Sequence, residues 1–397
     1  MDFKLIGSIL LIVGTSIGAG MLALPIATAQ LGFYGSLVLL FACWFIMTSG
    51  AFLILETNLW MPQNSNLVTM ARTTLGPIGQ ATAWITFFLL LYSLLCAYIA
   101  GGSDLFHNLL IAAHFDVPVW VSSIIFTLIF GGVVFMGIRT IDYVNRGLML
   151  IKLTAYFLLI ILLMPFISAI HLADGSFTHI TSATAIMVTI TSFGYAAIVP
   201  SLRIYFAGDV KKLKQAILFG SLVPLTCYIF WDAAIMGIIP LDGLKAILVS
   251  KTSTSDMVNT LSATAASQSV TFFTKLFTSI CVVTSFLGVA LCLADFLADG
   301  LQLEKVGSSN FLIHLLVFLP PLTVVLFYPN AFIKALEYAG IYCVILLILL
   351  PAWMAWNGRY RLRLANGFQV PGGKLFLGVI IVLSLLLLVK GLVNIQG

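Results

Sequence analysis

Charged residues are scarce in this chain. Only 8% of its 397 residues are Asp, Glu, Lys or Arg, whereas 61% are hydrophobic, and the mean hydropathy is +1.13. A soluble fold of this composition would expose apolar patches larger than soluble monomers tolerate. The composition therefore excludes a soluble globular protein and predicts an integral membrane protein in a lipid bilayer.

Several chemical signatures are missing as well. The six cysteines lie far apart in apolar runs without a CxxC pair, which favours free buried thiols over disulfides or a metal site. The five histidines have no paired spacing. Walker, Rossmann, nucleophile-elbow and HExxH patterns do not occur. We therefore expect no enzyme, no cofactor and no metal, and an ion gradient as the source of any energy.

Long apolar runs fill most of the chain. A helix needs about twenty apolar residues to cross a bilayer, and the runs of that length predict eleven membrane spans. The first run is longer than a signal-peptide core and leads into many others, so we expect it to be retained. The predicted spans are 5–29, 33–58, 81–106, 117–137, 147–169, 183–206, 214–238, 270–297, 309–328, 331–355 and 375–395.

Basic residues in the loops predict the orientation. One set of alternate loops carries most of them, and the other carries little beyond Lys245 and Lys251. Because cytoplasmic loops are enriched in Lys and Arg, we expect a cytoplasmic N-terminus and, with eleven spans, a periplasmic C-terminus. The net charge of +5 follows from this topology, and we infer no nucleic-acid partner from it. The basic set comprises Arg72, Arg139, Arg146, Lys211, Lys212, Lys214, Lys305, Arg359, Arg361, Arg363 and Lys374.

Two apolar runs are interrupted in the middle by similar residues. The first has Thr-Ser-Ile-Gly at 15–18, the sixth has Thr-Ser-Phe-Gly at 191–194, and a proline follows each, Pro25 or Pro200. A helix break survives in a bilayer only where it faces a protein cavity, and paired breaks are typical of a transporter's substrate site. Close packing of glycines is the alternative, but three glycines with Thr15 and Ser16 make a poor continuous helix.

The positions of the interruptions predict an inverted repeat. Runs one and six are five apart, so two five-helix repeats, 5–169 and 183–355, would cross the membrane in opposite directions. The run at 375–395 would be an added eleventh helix, and residues 1–397 would form one transporter domain. A looser third copy of the Thr-Ser-x-Gly pattern occurs at 284–288. The repeated pattern alone is therefore weak evidence for a helix break.

A pair of facing breaks would suit an amino acid. Free N–H groups at a helix start attract its carboxylate, and freed carbonyls attract its ammonium group. We expect apolar and aromatic residues around its side chain, although each aromatic could instead serve helix packing. The candidate substrate-binding residues are Gly14, Thr15, Ser16, Gly18, Ala19, Gly20, Tyr92, Tyr98, Thr191, Ser192, Phe193, Gly194, Tyr195, Ser285, Tyr338 and Tyr342.

Few ionisable residues lie inside the runs. Lys152 is in the fifth run, where a lysine must be paired, neutral or functional, or must reach back to the interface. Asp295 and Asp299 share one helix face near the cytoplasmic end of the eighth run, as gate residues or as a solvated helix end. Glu56, Asp104 and Glu337 approach span ends, where we expect solvated carboxylates. We keep Lys152 as the candidate proton-coupling residue and the aspartate pair as a possible cytoplasmic gate.

The longest loop lies between the seventh and eighth runs. It covers about 240–269 and is rich in Ser, Thr and Ala. Loops of this length usually carry structure of their own or a function. We expect an external lid over the substrate path.

Several segments also resemble a known family. Residues 14–25, GTSIGAGMLALP, resemble the first-helix signature of the hydroxy and aromatic amino acid permeases. TSFGY at 191–195, TSFLGVAL at 284–291, FLPP at 318–321 and FYP at 327–329 also match, most closely the tyrosine-specific branch. The resemblance covers nearly the whole chain.

The resemblance implies both fold and activity. It implies an all-α membrane protein of eleven helices with the broken-helix 5+5 inverted-repeat (LeuT-like) fold, in a bacterial inner membrane. It implies amino acid import by proton symport, with tyrosine as the expected substrate. Lys152 is similar to the fifth-helix lysine that replaces a sodium ion in related proton-coupled transporters.

Other functions remain open. The same fold could transport tryptophan, phenylalanine or serine and threonine, or could be coupled to sodium. A non-transporting amino acid sensor or a passive channel is a different class. A sensor would be expected to carry a soluble signalling segment, and the longest cytoplasmic loop, near 357–374, is too short for one. The sequence makes no prediction about oligomeric state.

Overall fold

A computed structural model describes residues 3–328 and 331–396. These residues form helices and connecting loops, with no β-strand in the described ranges. Pro329 of the 327–329 motif and the side chain of Arg139 lie outside the described part. The α-helices are α1 (Phe3–Ser16), α2 (Ala19–Ala27), α3 (Gly32–Leu59), α4 (Leu67–Ala112), α5 (Val119–Phe135), α6 (Ile138–Leu163), α7 (Ala169–Ala173), α8 (Ala183–Ser192), α9 (Val199–Tyr205), α10 (Val210–Ile238), α11 (Leu241–Val249), α12 (Ser253–Ala265), α13 (Gln268–Leu301), α14 (Gly307–Phe327), α15 (Ala331–Cys343), α16 (Leu350–Tyr360) and α17 (Gly373–Gln396).

The membrane spans follow the apolar runs closely. In the described chain, nine helical segments are long and apolar enough to cross a membrane, and the bent pair α1–α2 makes a tenth. The run at 117–137 forms α5, an apolar helix of 17 residues. At 1.5 Å per residue α5 is about 26 Å long, which is shorter than the ~30 Å hydrocarbon core of a bilayer. Length and composition therefore support ten spans, and α5 is a shorter apolar helix beside them.

Polar side chains mark where several spans begin. The first N–H groups of a helix have no intrahelical partner, and a preceding Asn, Asp or Ser supplies one. Asn66 accepts from Thr69 N at 2.9 Å at the start of α4, and Asp209 accepts from Lys211 N at 3.0 Å at the start of α10. Helix α4 begins well before the predicted run at 81–106, and it kinks at Gly76, whose φ of 76° favours glycine.

The first interrupted span is sharply bent. Helix α1 ends at Ser16, α2 begins at Ala19, and the two axes differ by 54°. Gly18 between them is extended, with φ −153° and ψ −153°. A Cβ atom at Gly18 would overlap the Ser285 side chain from α13. A glycine therefore lets the broken backbone approach the neighbouring helix closely.

The second interruption is gentler than the first. Helix α8 ends at Ser192, a 3₁₀ turn covers Gly194–Ile198, and α9 follows with Pro200 in its first turn. The whole segment Ala183–Tyr205 still counts as one span. The two interruptions therefore differ in form, because the first contains the extended backbone of Gly18 and the second is a 3₁₀ turn. Pro200 lies at a helix start, where its missing N–H is tolerated.

The interrupted spans lie inside the bundle. All nine residues of α2 are buried. Helix α2 packs against α8, α1 packs against α10, and α13 packs against α6 and α4. The last helix, α17, packs on α15, α16 and the π-helical turn Val344–Leu349 that joins them. Most residues of the two motifs therefore lie inside the bundle, whereas Thr15 is exposed.

The predicted loop at 240–269 is mostly helical. It contains α11 and α12, which pack against each other, and α11 contacts α2. The Asp104 carboxylate on α4 accepts from Ser255 N at 2.8 Å and from Ser255 Oγ at 2.5 Å, in the first turn of α12. This carboxylate therefore ties the helical loop to the bundle.

Candidate substrate-binding site

The structure brings the two interruptions together. An ideal Cβ at Gly20 of α2 would lie 3.2 Å from Ser192 Oγ and 3.5 Å from Ser192 Cα, at the end of α8. A side chain at position 20 would therefore meet Ser192 at once, and the Ser192 hydroxyl would have to shift to admit it. The start of α2 and the end of α8 are consequently neighbours at backbone distance.

Tyr228 joins both interruptions. Its hydroxyl lies 2.7 Å from Ser16 O and 2.7 Å from Ser192 O. These carbonyls are at the ends of α1 and α8, where helix carbonyls lack intrahelical partners. A hydroxyl has one proton to donate, so the two carbonyls share it and retain free acceptor capacity. The ring of Phe193 packs edge-on against Tyr228, with centroids 5.1 Å apart.

Lys152 contacts the first interruption directly. Its amine donates to Ile17 O at 2.7 Å and to Thr284 Oγ1 at 3.3 Å. The side chain is 1% exposed, so it does not extend to the interface. Both acceptors are neutral oxygens. The Lys152 amine thus lies beside the broken backbone with only neutral acceptors.

The third copy of the Thr-Ser pattern also reaches the first interruption. Thr284 meets Lys152, while Ser285 Oγ accepts from Ala19 N at 3.2 Å and donates to Cys281 O at 2.8 Å. Tyr98 of α4 is buried near the Ser285 side chain. The weak sequence signal on α13 is therefore part of the same cluster.

The remaining residues of the first motif have different surroundings. Ser16 is buried, and its Oγ has no hydrogen-bond partner in the described chain. Thr15 is exposed and donates to Ile12 O at 2.9 Å in its own helix. Gly14 lies against the Met149 side chain of α6. The Ser16 hydroxyl is thus a free polar group at the break, whereas the Thr15 hydroxyl is hydrogen-bonded within its own helix.

The second motif is linked to neighbouring helices. Thr191 Oγ1 donates to Leu336 O of α15 at 2.9 Å. Tyr195 is buried, and its hydroxyl pairs with Thr48 Oγ1 of α3 at 2.9 Å. A Cβ at Gly194 would lie 3.7 Å from Cys343 Sγ, which is ordinary contact. Phe193 therefore faces Tyr228, whereas Tyr195 is occupied with α3.

Two candidate tyrosines lie elsewhere. Tyr92 and Tyr338 line a cavity of about 680 Å³ between α4, α14 and α15, and no residue of either interruption lines it. The Tyr92 hydroxyl donates to Leu316 O at 2.7 Å. The structure therefore separates Tyr92 and Tyr338 from the motif cluster. Tyr342 follows Tyr338 by one turn of α15, and its role in binding stays a prediction.

The aspartate pair lies on an exposed face. Asp295 forms an ion pair with Lys305, and its side chain is 55% exposed. Asp295 and Asp299 both line an open cavity of about 410 Å³. Partial burial lowers the pKa of Lys305. The gate role of the pair stays a prediction.

Carboxylates near the span ends are buried, contrary to expectation. Glu56 is 0% exposed and forms two bonds with Arg359, of 2.6 and 2.5 Å, and it also accepts from Val370 N at 2.7 Å. Asp104 binds α12 and Glu337 accepts from Thr184 at 2.5 Å. Single-sequence reasoning misses such pairs because the partners are far apart in the chain.

The chain matches a single family model over almost its whole length. Residues 1–390 match the tryptophan/tyrosine permease family. The chain belongs to this family. The permease is 34% identical to tyrosine-specific transport system 1 of Haemophilus influenzae, over 97% of this chain and 95% of the relative. It is 31% identical to the tryptophan-specific transport protein of the same organism, over 96% and 94%.

A third relative widens the range of named substrates. The permease is 31% identical to glutamine transporter 2 of Aliivibrio fischeri, over 98% of this chain and 100% of the relative. The resemblance seen in the sequence is thereby confirmed at the level of the family. This chain is a multi-pass membrane transporter of a bacterial permease family and not an enzyme.

Proposed function

We propose that this permease imports an aromatic amino acid, tyrosine in the first place, together with a proton, by alternating access. Family membership and the relatives named for tyrosine and tryptophan transport support the substrate class. The hydrogen bond from the Lys152 amine to Ile17 O is the observation that supports proton coupling. Through this bond an ionisable group contacts the same backbone segment that would bind the substrate.

The head group of the amino acid would bind between the interruptions. The start of α2 is the positive end of a helix, and the N–H of Gly20 suits the carboxylate. The N–H of Ala19 already donates to Ser285 Oγ. The carbonyls of Ser16 and Ser192 share one Tyr228 proton and suit the ammonium group. The unpartnered Ser16 Oγ supplies a further polar contact. Phe193 and Tyr98 are the nearest candidates for the aromatic side chain.

Lys152 would couple the proton to the break. A charged amine holds Ile17 O by a charge-assisted bond, which is stronger than a neutral one. When the amine loses its proton, this bond weakens, and α1 becomes freer to move relative to α2. The proton and the movement of the broken helix are thus linked at one carbonyl.

We extend the proposal to the architecture. Helix α5 would be the fourth of eleven spans, and repeats 5–169 and 183–355 would form the inverted 5+5 arrangement of the LeuT-like fold. The N-terminus would be cytoplasmic and the C-terminus periplasmic. The bent first span and the interrupted sixth span support this arrangement. Helices α11 and α12 would then form the external lid, with the Asp104 contact as its anchor.

Uptake into proteoliposomes tests the function. Labelled tyrosine should accumulate inside the vesicles when the outer solution is made more acidic than the interior. A sodium gradient at equal pH should not drive accumulation. Unlabelled tyrosine should compete more strongly than tryptophan, phenylalanine, serine or glutamine. Stronger competition by glutamine would contradict the aromatic assignment, and equilibration without accumulation would indicate a channel.

A further inference from the structure

Helix α10 contains a buried carboxylate that the proposed mechanism does not use. Asp232 is 0% exposed. Ser36 Oγ of α3 donates to its Oδ2 at 2.5 Å, and its Oδ1 has no hydrogen-bond partner in the described chain. An ionisable residue with a free oxygen inside a membrane span is by default a functional-site hypothesis.

The surroundings of Asp232 favour a neutral carboxyl. Among the ion pairs found in the described residues, none includes Asp232. An unpaired buried charge is costly, and such a group takes up a proton instead. Asp232 can therefore hold a proton inside the bundle in the conformation that the structure shows.

Several ionisable groups lie on the helices that pack against α10. Tyr156 of α6 donates to Cys227 O at 2.8 Å, on the same helix as Asp232. His171 of α7 lies 3.2 Å from Gly237 O, further along α10. Among the side chains that the structure describes, the other groups on these neighbours are Lys4 on α1, Tyr34, Cys43 and Glu56 on α3, Tyr143, Arg146 and Lys152 on α6, Arg203 and Tyr205 on α9, and Asp256 on α12.

Two pairs of residues place Asp232 relative to Lys152. Lys152 and Tyr156 are four apart on α6, and Tyr228 and Asp232 are four apart on α10, so each pair shares a helix face. Lys152 and Tyr228 both contact the end of α1. In the proposed topology α6 and α10 cross the membrane in the same direction. Tyr156 and Asp232 then lie about 6 Å further outward, one helical turn from the break.

We propose that Asp232 is a second proton-binding group of this permease, on the outer side of Lys152. Its carboxylate binds one proton that enters from the outer side, and the carboxyl releases that proton during the transport cycle. No other bond forms or breaks. The proposal rests on the proposed proton symport, since it assigns Asp232 to the entry path of the coupled proton.

The Asp232→Asn variant tests this assignment. Asparagine keeps the size and the bond from Ser36 but cannot exchange a proton. In proteoliposomes, accumulation driven by a pH gradient should fall to the level of empty liposomes, while tyrosine exchange at equal pH on both sides should persist. Asp242→Asn is the matched control, because Asp242 is 96% exposed and pairs with Lys245. Wild-type accumulation by Asp232→Asn would overturn the proposal.

An infrared measurement separates this proposal from the symport itself. Wild-type protein should show a protonated-carboxyl band that changes when tyrosine is added, and Asp232→Asn but not Asp242→Asn should lack it. Ser36→Ala should shift the pH at which this band titrates. Absence of a band assignable to Asp232 would overturn the proposal. Failure of the wild type to respond to a pH gradient would instead contradict the proposed symport.

Discussion

At the scale of single residues, the proposed coupling depends on one amine. Lys152 lies beside neutral acceptors only, Ile17 O and Thr284 Oγ1, so no carboxylate fixes its charge. A group in that situation is free to lose its proton when its surroundings change. The broken backbone at Ile17 is then held more weakly.

Replacing Lys152 with Met should abolish tyrosine accumulation driven by a pH gradient. Methionine fills a similar volume but carries no charge, and the lost hydrogen bond to Ile17 O costs about 1–3 kcal/mol. Tyrosine binding, measured by calorimetry, should stay detectable because the head-group contacts remain. Lys275→Met, at a partly exposed position of α13, is the control and should accumulate tyrosine normally. Unchanged accumulation by Lys152→Met would leave the lysine with a packing role only.

The two motif glycines should respond differently to enlargement. A Cβ at Gly18 overlaps Ser285 Oγ, whereas a Cβ at Gly194 meets Cys343 Sγ at an ordinary 3.7 Å. We therefore expect Gly18→Ala to weaken tyrosine binding strongly and Gly194→Ala to change it little. Equilibrium binding of labelled tyrosine to purified protein checks both. Wild-type affinity in Gly18→Ala would contradict a head-group site at the first interruption.

Sequence reasoning identified part of the site and missed part. It selected Gly18, Ser285 and Lys152 because breaks and buried charges are locally visible. It missed Tyr228 and Asp232, since their significance comes from contacts with residues 36 to 212 positions away. A mid-span tyrosine by itself gives no signal that distinguishes it from packing.

At the scale of elements, the lengths of the apolar runs predicted where the spans lie. They did not predict the shape of the helices within those spans. Most of the predicted spans correspond to helices. The repeated Thr-Ser-x-Gly pattern did not reveal that one break is extended and the other is a 3₁₀ turn. Local propensity is similar at both sites, but the first break contacts Ser285 and Lys152 from distant parts of the chain. Helices α11 and α12 were not predicted individually because they are short and lack a long apolar run.

The ends of α3 and α16 are joined by a buried ion pair that predicts a stability effect. Glu56 and Arg359 are 0% and 4% exposed at their side chains. Arg359→Ala leaves an unpaired buried carboxylate and should destabilise the protein by roughly 3–5 kcal/mol. Lys245→Ala, which removes an exposed pair with Asp242, should cost only about 0–1 kcal/mol. Chemical unfolding in detergent compares them, and equal effects would contradict a structural role of the buried pair.

At the scale of the whole molecule, the chain is a bundle organised around two interrupted helices. The interruptions touch at Gly20 and Ser192, and helices from both proposed repeats supply Lys152, Tyr228 and Ser285 to them. A site shared by two halves can open to either side when the halves tilt relative to each other. The composition predicted a membrane protein. The contact between the two proposed halves places the interruptions side by side, as alternating access requires.

The most direct test of proton-coupled import is tyrosine uptake into proteoliposomes that contain only this permease. An inwardly directed proton gradient, with the outside more acidic, should concentrate labelled tyrosine inside the vesicles. The internal pH should fall as tyrosine enters. Lys152→Met should show neither effect. Accumulation that depends on a sodium gradient and proceeds without any pH change would contradict the central claim.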